Sequence, residues 1–215
     1  MTSTQKLLMA IPKGRILKDL EPIFAKINLQ IEDEFYQEST RKLVFDTSIA
    51  SLQIIKVRSF DVATFVKFGV ADIGICGLDV VEEFESKMIY RLLNLKIGNC
   101  RLSLASNKDS KIDFNEVSHI RVATKYTNLA TKFFAKRSIQ AETIKLNGAI
   151  EIAPKIGLSD FIIDLVDSGQ TLKANNMIEV IKILEVTSFL IANKTSFSTK
   201  NTAINQIIDL FRSKI

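Results

Sequence analysis

Short continuous apolar runs along this chain give way to apolar positions recurring at helical spacing, and each change marks an element. Residues 7–11 are an unbroken apolar run stopped by Pro12, which predicts a buried strand followed by a loop of Pro12, Lys13, Gly14 and Arg15. Ile16, Leu17, Leu20, Ile23, Phe24 and Ile27 then recur at helical spacing, predicting an amphipathic helix of about three turns. Residues 43–45 and 52–57 read as strands around a turn. Ser59 is placed to cap the next helix, with Val62, Phe65, Val66 and Phe68 on its inner face and Gly69 at its end. Residues 71–77 predict a strand, and Asp79 lies where the following helix starts.

The alternation continues through the second half. Residues 90–97 and 101–105 read as strands on either side of Gly98, Asn99 and Cys100, and the polar stretch 107–118 is a weak boundary. A strand at 120–123 leads to a helix from about residue 128 to 137, followed by a strand at 142–146. Residues 180–191 are long and β-branched, suited to one strand that crosses between two lobes, and 202–211 close the chain with Ile204, Ile207, Ile208 and Phe211 on one helical face. Strands alternating with helices predict an α/β protein with parallel sheets covered on both faces.

One stretch carries chemistry of its own. Phe161, Ile162 and Ile163 predict a buried strand, Asp164 to Leu172 a tight loop, and Thr171 to Asn175 one or two turns of helix. Ser168, Gly169, Gln170 and Thr171 let backbone N–H groups and two hydroxyls approach a phosphate at a helix start. Asp164 and Asp167 suit the vicinal hydroxyls of a ribose. The loop therefore reads as a sugar-phosphate site, and equally as an ordinary turn with an Asp/Ser cap.

Composition narrows the class. With 215 residues, 47% hydrophobic and 25% charged, the chain can bury roughly 70% of its unfolded surface in one large or two small domains. No apolar run approaches the length of a membrane span. The opening Met1, Thr2, Ser3, Thr4, Gln5 and Lys6 lacks the features of a secretion signal, so a cytoplasmic location is expected. Cys76 and Cys100 have neither CxxC spacing nor histidine company, which predicts free, small buried thiols and no metal cluster. The 29 basic residues against 24 acidic are scattered, favouring small anionic ligands over nucleic acid. His119 reads as a surface or turn residue, Asp72 as a structural acceptor, and the fourteen phenylalanines as core.

The remaining candidate groups fall at strand-to-helix junctions: Lys13 and Arg15, Arg58, and Gly77 with Asp79. In an open α/β sheet such ends share one crevice, where ligands bind. Arg58 and Lys13 also read as ordinary exposed charges.

The chain resembles the ATP phosphoribosyltransferases of histidine biosynthesis. The resemblance runs in order through Ile11-Pro12-Lys13-Gly14-Arg15, Val57-Arg58-Ser59-Phe60-Asp61, Gly69-Val70-Ala71-Asp72-Ile73-Gly74-Ile75-Cys76-Gly77-Leu78-Asp79 and Gly98-Asn99-Cys100-Arg101-Leu102. It continues with Val122-Ala123-Thr124-Lys125-Tyr126, Leu146-Asn147-Gly148, Glu151-Ile152-Ala153-Pro154, Gly157-Leu158-Ser159-Asp160 and the Asp164 loop. Thr127, where proline is common, and Ser159, where alanine is usual, are mild departures.

That resemblance implies a two-lobed fold of the type II periplasmic-binding-protein kind with an active-site cleft between the lobes, residues 1–100 with 186–215 forming one lobe and 101–185 the other. It implies attack by N1 of the adenine of ATP on C1 of phosphoribosyl pyrophosphate, with Mg²⁺. Lys13, Arg15 and Arg58 become the catalytic cations; Asp164, Asp167, Ser168, Gly169, Gln170 and Thr171 hold phosphoribosyl pyrophosphate, and Gly14, Gly77, Asp79 and Glu151 lie on the ATP side. The end at Ile215, right after the closing helix, resembles the short form, which works with a separate regulatory subunit similar to histidyl-tRNA synthetase. A solute-binding or ligand-sensing protein on the same fold is the rival expectation.

Overall fold

The structure, a computed structural model, describes residues 6–37, 39–114 and 116–215. The secretion-signal expectation falls on residues 1–5 and so lies outside them. In chain order the elements are β1 (Leu7–Pro12), α1 (Arg15–Lys26), β2 (Val44–Asp46), β3 (Leu52–Val57), α2 (Ser59–Lys67), β4 (Ile73–Gly77), α3 (Leu78–Phe84) and β5 (Ile89–Asn94). There follow β6 (Cys100–Asn107), β7 (His119–Thr124), α4 (Thr127–Ala135), β8 (Gln140–Lys145), β9 (Phe161–Val166), α5 (Gln170–Ala174) and β10 (Met177–Val186). The chain closes with β11 (Ser188–Asn193), α6 (Lys194–Thr199) and α7 (Asn201–Arg212), and short 3-10 turns lie at Asp33–Tyr36 and Ile150–Ile152. Two units result, one running to Gly98 and resuming at Thr187, the other Asn99–Val186.

In the first unit the strand order is β2-β3-β1-β4-β11-β5. Only the centre is parallel: β1 runs with β3 and β4, whereas β2 and β11 are antiparallel to their neighbours. The expected all-parallel sheets are therefore corrected to mixed ones, because β2 and β3 form a tight antiparallel pair and β11 is a returning strand. On one face Met9, Ile11, Ile54 and Ile75 pack beneath Leu20 and Phe24 of α1 and Ile204, Ile208 and Phe211 of α7. Each such fully buried side chain contributes about 1.5–3 kcal/mol relative to exposure. On the other face Ala10, Ile55 and Cys76 lie under Val62, Ala63 and Val66 of α2 and Val80 of α3.

Two local expectations change here. Ser59 is already helical and makes no capping bond, the N-cap being Arg58. Phe68 lies past the last turn and is 72% exposed, while Ala63 takes the inner position. Gly69, at φ 71°, turns the chain away. The end of α2 is instead closed by buried Asn193, whose amide donates to the carbonyls of Val66 and Lys67 while its Oδ1 accepts from the N–H groups of Thr195 and Ser196. Asp72, also buried, accepts from the Leu8 N–H and from Lys200 Nζ at 3.0 and 2.9 Å.

In the second unit the order is β10-β6-β9-β7-β8, with β7 parallel to β8 and β9 and with β6 antiparallel to β9 and β10. Phe161 on β9 packs in an aromatic cluster with Phe114, Phe133 and Phe134. Ile162 and Val166 form a second cluster with Ile150, Ala153, Leu172 and Met177, so the 3-10 turn and α5 cover that side. The single strand expected over 180–191 is broken at Thr187. The Thr187 carbonyl accepts from the Leu78 N–H and its hydroxyl donates to Asn94 and Ile97, which takes this residue out of β10. Among the described residues no helix is long and apolar enough to cross a membrane.

Candidate functional site

β9 begins with three buried apolar residues and ends with Asp164 and Leu165 half-buried. The strand continues to Val166, so Asp164 is a strand residue and the loop proper is Asp167, Ser168 and Gly169. Gly169 precedes α5 at φ 78°, ψ 5°, the left-handed region in which glycine carries no side-chain penalty. α5 has five residues, too few for a developed dipole. What the turn offers an anion is therefore its local N–H and hydroxyl groups.

A cavity of about 130 Å³ lies against this turn. Ile162, Val166 and Leu172 give it an apolar wall, and Asp164, Asp167, Ser168, Gly169, Gln170 and Thr171 the polar one, joined by Glu151. Lys125 Nζ stands 3.8 Å from Asp164 Oδ1, next to the end of β7. Carboxylates that accept hydroxyls thus sit beside hydroxyl and N–H donors that suit a phosphate, which is the pairing a ribose phosphate requires.

Arg101 braces the turn. Its Nη1 donates to the Asp167 carbonyl at 3.0 Å, while Nε and Nη2 fork onto the Glu179 carboxylate at 2.7 and 2.6 Å. Ser103, fully buried, donates its hydroxyl to the same carboxylate at 2.7 Å. The Arg101 hydrogen bonds hold the Glu179 carboxyl below its ordinary value against the opposing effect of partial burial, and Ser103 adds to the lowering. The sequence reading assigned no role to Lys125, Arg101 or Glu179. Lys125 and Arg101 stood inside the quoted motifs; Glu179 had no local signal, since it meets Arg101 across 78 residues.

In the first unit, Lys13 donates its N–H to Val57 and Gly14 adopts φ 91°, ψ −141° ahead of α1, a conformation open essentially to glycine. Lys13 and Gly14 line a second cavity of about 380 Å³, shared with Lys18, Lys42, Lys56 and the half-exposed ring of Tyr36. Lys56 Nζ lies 4.6 Å over the Phe35 ring. Arg15 reaches elsewhere, with Nη2 donating to the Gly98 carbonyl at 3.3 Å while the Gly98 N–H donates to Asp19. Arg58 is exposed at the N-cap of α2, its carbonyl accepting from Asp61 and Val62. Gly77 and Asp79 are buried at the start of α3, Asp79 being 4% exposed.

The expected residues therefore fall into groups. The Asp164-to-Thr171 set shares one cavity with Glu151, which had been expected on the ATP side. Lys13 and Gly14 share another. Arg15, Arg58, Gly77 and Asp79 line neither.

The ATP phosphoribosyltransferase (HisG) family model matches residues 58–213. Over 209 residues the chain is 49% identical to an ATP phosphoribosyltransferase of Rhodospirillum rubrum, covering 96% of this chain and 92% of that protein. It is 39% identical over 216 residues to one of an Acidovorax species, at 99% and 98% coverage. Among solved structures, the ATP phosphoribosyl transferase (HisG:HisZ) complex from Thermotoga maritima contains a similar chain, with a TM-score of 0.81, 30% identity and coverage of 96% and 97%. The substrate-binding protein of an amino acid ABC transporter matches with a TM-score of 0.61 and 13% identity over 96% and 91%, a likeness of fold alone.

Proposed function

The chain belongs to the ATP phosphoribosyltransferase family, and from that premise we propose how its residues divide the work. The reaction is the first step of histidine biosynthesis: N1 of the adenine of ATP bonds to C1 of phosphoribosyl pyrophosphate, and the C1–O bond to pyrophosphate breaks. The fold is that of two-lobed periplasmic binding proteins. Solute binding as a function is not favoured, because that likeness is confined to fold.

The phosphoribosyl group belongs in the cavity at the end of β9. The observation that carries this reading is the assembly of Asp164, Asp167, Ser168 and Thr171 around one small cavity. Asp164 and Asp167 accept the ribose 2- and 3-hydroxyls, and Ser168, Gly169, Gln170 and Thr171 surround the 5-phosphate. The nucleotide belongs with Lys13 and Gly14, where Lys18, Lys42 and Lys56 offer charge and Tyr36 a stacking face. Arg15 and Arg58 then serve as supporting cations for the phosphates.

Adenine N1 already carries its lone pair, so little proton abstraction is needed. The barrier falls through positioning of N1 against C1 and through charge that matches an oxocarbenium-like sugar and a departing diphosphate. Among the described residues no group of three or more carboxylates, histidines or cysteines is arranged to hold a metal ion, so Mg²⁺ would be held mainly by diphosphate oxygens and water, where it would neutralise the leaving group.

We also read the chain as a cytoplasmic enzyme that works with a separate regulatory subunit similar to histidyl-tRNA synthetase. The likeness to the chain from the HisG:HisZ complex supports that partner. The test combines the protein, such a subunit, ATP, Mg²⁺ and phosphoribosyl pyrophosphate. Pyrophosphate release with an absorbance rise from N1-substituted adenine is expected, its rate increasing with added subunit and falling with histidine; absence of product refutes the reading.

A further inference from the structure

The proposed phosphoribosyl turn is short, three residues from Asp167 to Gly169 between β9 and the five-residue α5. Gly169 adds backbone freedom, and the Ser168 hydroxyl accepts from the Gln170 N–H at 3.4 Å, a weak contact. A turn of this kind binds well only if its backbone is set beforehand, since ordering it on binding subtracts from affinity. The brace that sets it is visible in the sheet.

β6 lies between β9 and β10. Arg101 is in register with Val166, the residue before the turn, and projects three directed donors: one to the Asp167 carbonyl and two to Glu179. An isolated surface ion pair is worth little, but a forked Arg–carboxylate pair is geometrically specific. Here the fork is anchored as well, because Glu179 also takes the hydroxyl of fully buried Ser103. Glu179 neutralises the guanidinium and fixes its plane, so Arg101 is suited to hold a backbone carbonyl rather than to capture an anion.

We propose that Arg101 and Glu179 are a positioning pair for the phosphoribosyl turn: Glu179 holds Arg101, and Arg101 holds the Asp167 carbonyl, so that Asp167 to Thr171 are presented in their binding geometry before the sugar phosphate arrives. This rests on the reading of that turn as the phosphoribosyl site. It assigns no contact with substrate to either residue. Glu179 lies on β10, outside the segments that the sequence marked as functional.

The test uses the full chain with its regulatory subunit and compares Glu179→Gln, Arg101→Lys, the double variant and Thr171→Val. Gln keeps the shape of Glu179 and loses its charge, and Lys cannot supply the fork. Expected for Glu179→Gln and Arg101→Lys is a KM for phosphoribosyl pyrophosphate raised by about tenfold, a KM for ATP within about twofold, and a melting temperature close to that of the parent. The double variant should be no worse than Arg101→Lys alone, because both substitutions break one linkage. If both KM values rise together with a lower melting temperature, the pair is merely structural and the proposal fails. If the pair variants leave KM for phosphoribosyl pyrophosphate unchanged while Thr171→Val raises it, the positioning proposal fails and the turn keeps its role. If Thr171→Val also has no effect, the reading of the turn falls and takes the proposal with it.

Discussion

Lys125 Nζ stands 3.8 Å from Oδ1 of Asp164, across neighbouring parallel strands. The cation thus faces the carboxylate that a ribose hydroxyl would donate to. Asp164→Asn keeps the size and one acceptor but removes the charge. A hydrogen bond to a charged group is worth about 1.5–3 kcal/mol, so affinity for phosphoribosyl pyrophosphate should fall roughly 10- to 100-fold. Affinity for ATP should hardly change. Titration calorimetry with each substrate separates the two, and equal losses would remove Asp164 from the ribose.

Gly169 adopts φ 78°, and a Cβ there would make only an ordinary van der Waals contact, with Val166 Cγ1 at 3.9 Å. Any cost of Gly169→Ala therefore comes from backbone conformation, not from a clash. Left-handed backbone costs an L-residue about 1–2 kcal/mol, and asparagine tolerates it better than alanine. Denaturant unfolding should rank Gly169→Asn above Gly169→Ala in stability, and phosphoribosyl pyrophosphate affinity should follow the same order. A reversed order would mean that the turn relaxes to another conformation.

Much of this architecture was legible because its signals are contiguous. β1 with α1 follows from an unbroken apolar run giving way to helical spacing, and β9 with its turn and α5 from an apolar run giving way to a Ser/Gly/Thr turn, each within one short stretch. Strand direction was not legible, since periodicity is the same forwards and backwards. α6 escaped because it is polar and buries only Ser196, its start being fixed by the Asn193 cap instead of an apolar stripe. Within the site, the residues from Asp164 to Thr171 were readable as adjacent chemistry. The Arg101–Glu179 pair was not, because it exists only once β6 and β10 are neighbours.

Ser159, expected from the resemblance to be a mild departure, has a consequence in the structure. The residue is 4% exposed, and among the described residues its hydroxyl has no hydrogen-bond partner. An orphaned buried polar group costs about 1–3 kcal/mol. Ser159→Ala should therefore stabilise the protein, raising the melting temperature by about 2–4 °C per kcal/mol. Scanning calorimetry measures this directly, and a lower melting temperature would show that the hydroxyl is satisfied.

Cys76 is fully buried, and burial first, then the nearby Asp79 carboxylate, push its thiol well above the ordinary 9.0. Cys100 is only half-buried. Alkylation near neutral pH should label Cys100 and spare Cys76 in the folded protein. With the folded value raised, the unfolded thiol ionises first, so stability is intact below the ordinary value and declines as pH rises above it. Cys76→Ala should flatten that alkaline slope while lowering stability at neutral pH through lost packing; an unchanged slope would assign it to other groups.

Among the glycines of the first unit, Gly74 leaves the least room for a side chain. A Cβ there would lie 2.7 Å from Val62 Cγ1, 2.9 Å from Val66 Cγ2 and 3.2 Å from the Ala10 carbonyl. β4 cannot shift to make room, because it is hydrogen-bonded to β1 on one side and β11 on the other. The adjustment must come from α2, whose end is held by Asn193. Overpacking of this kind costs about 1–3 kcal/mol, so Gly74→Ala should lower stability by that amount in denaturant unfolding. Val62→Ala removes the closest methyl groups and opens a small cavity when made alone. Combined with Gly74→Ala it should lose less than the sum of the single losses, since the new methyl occupies part of the space that Val62 vacates. Strict additivity would mean that α2 lifts away from β4 without resistance.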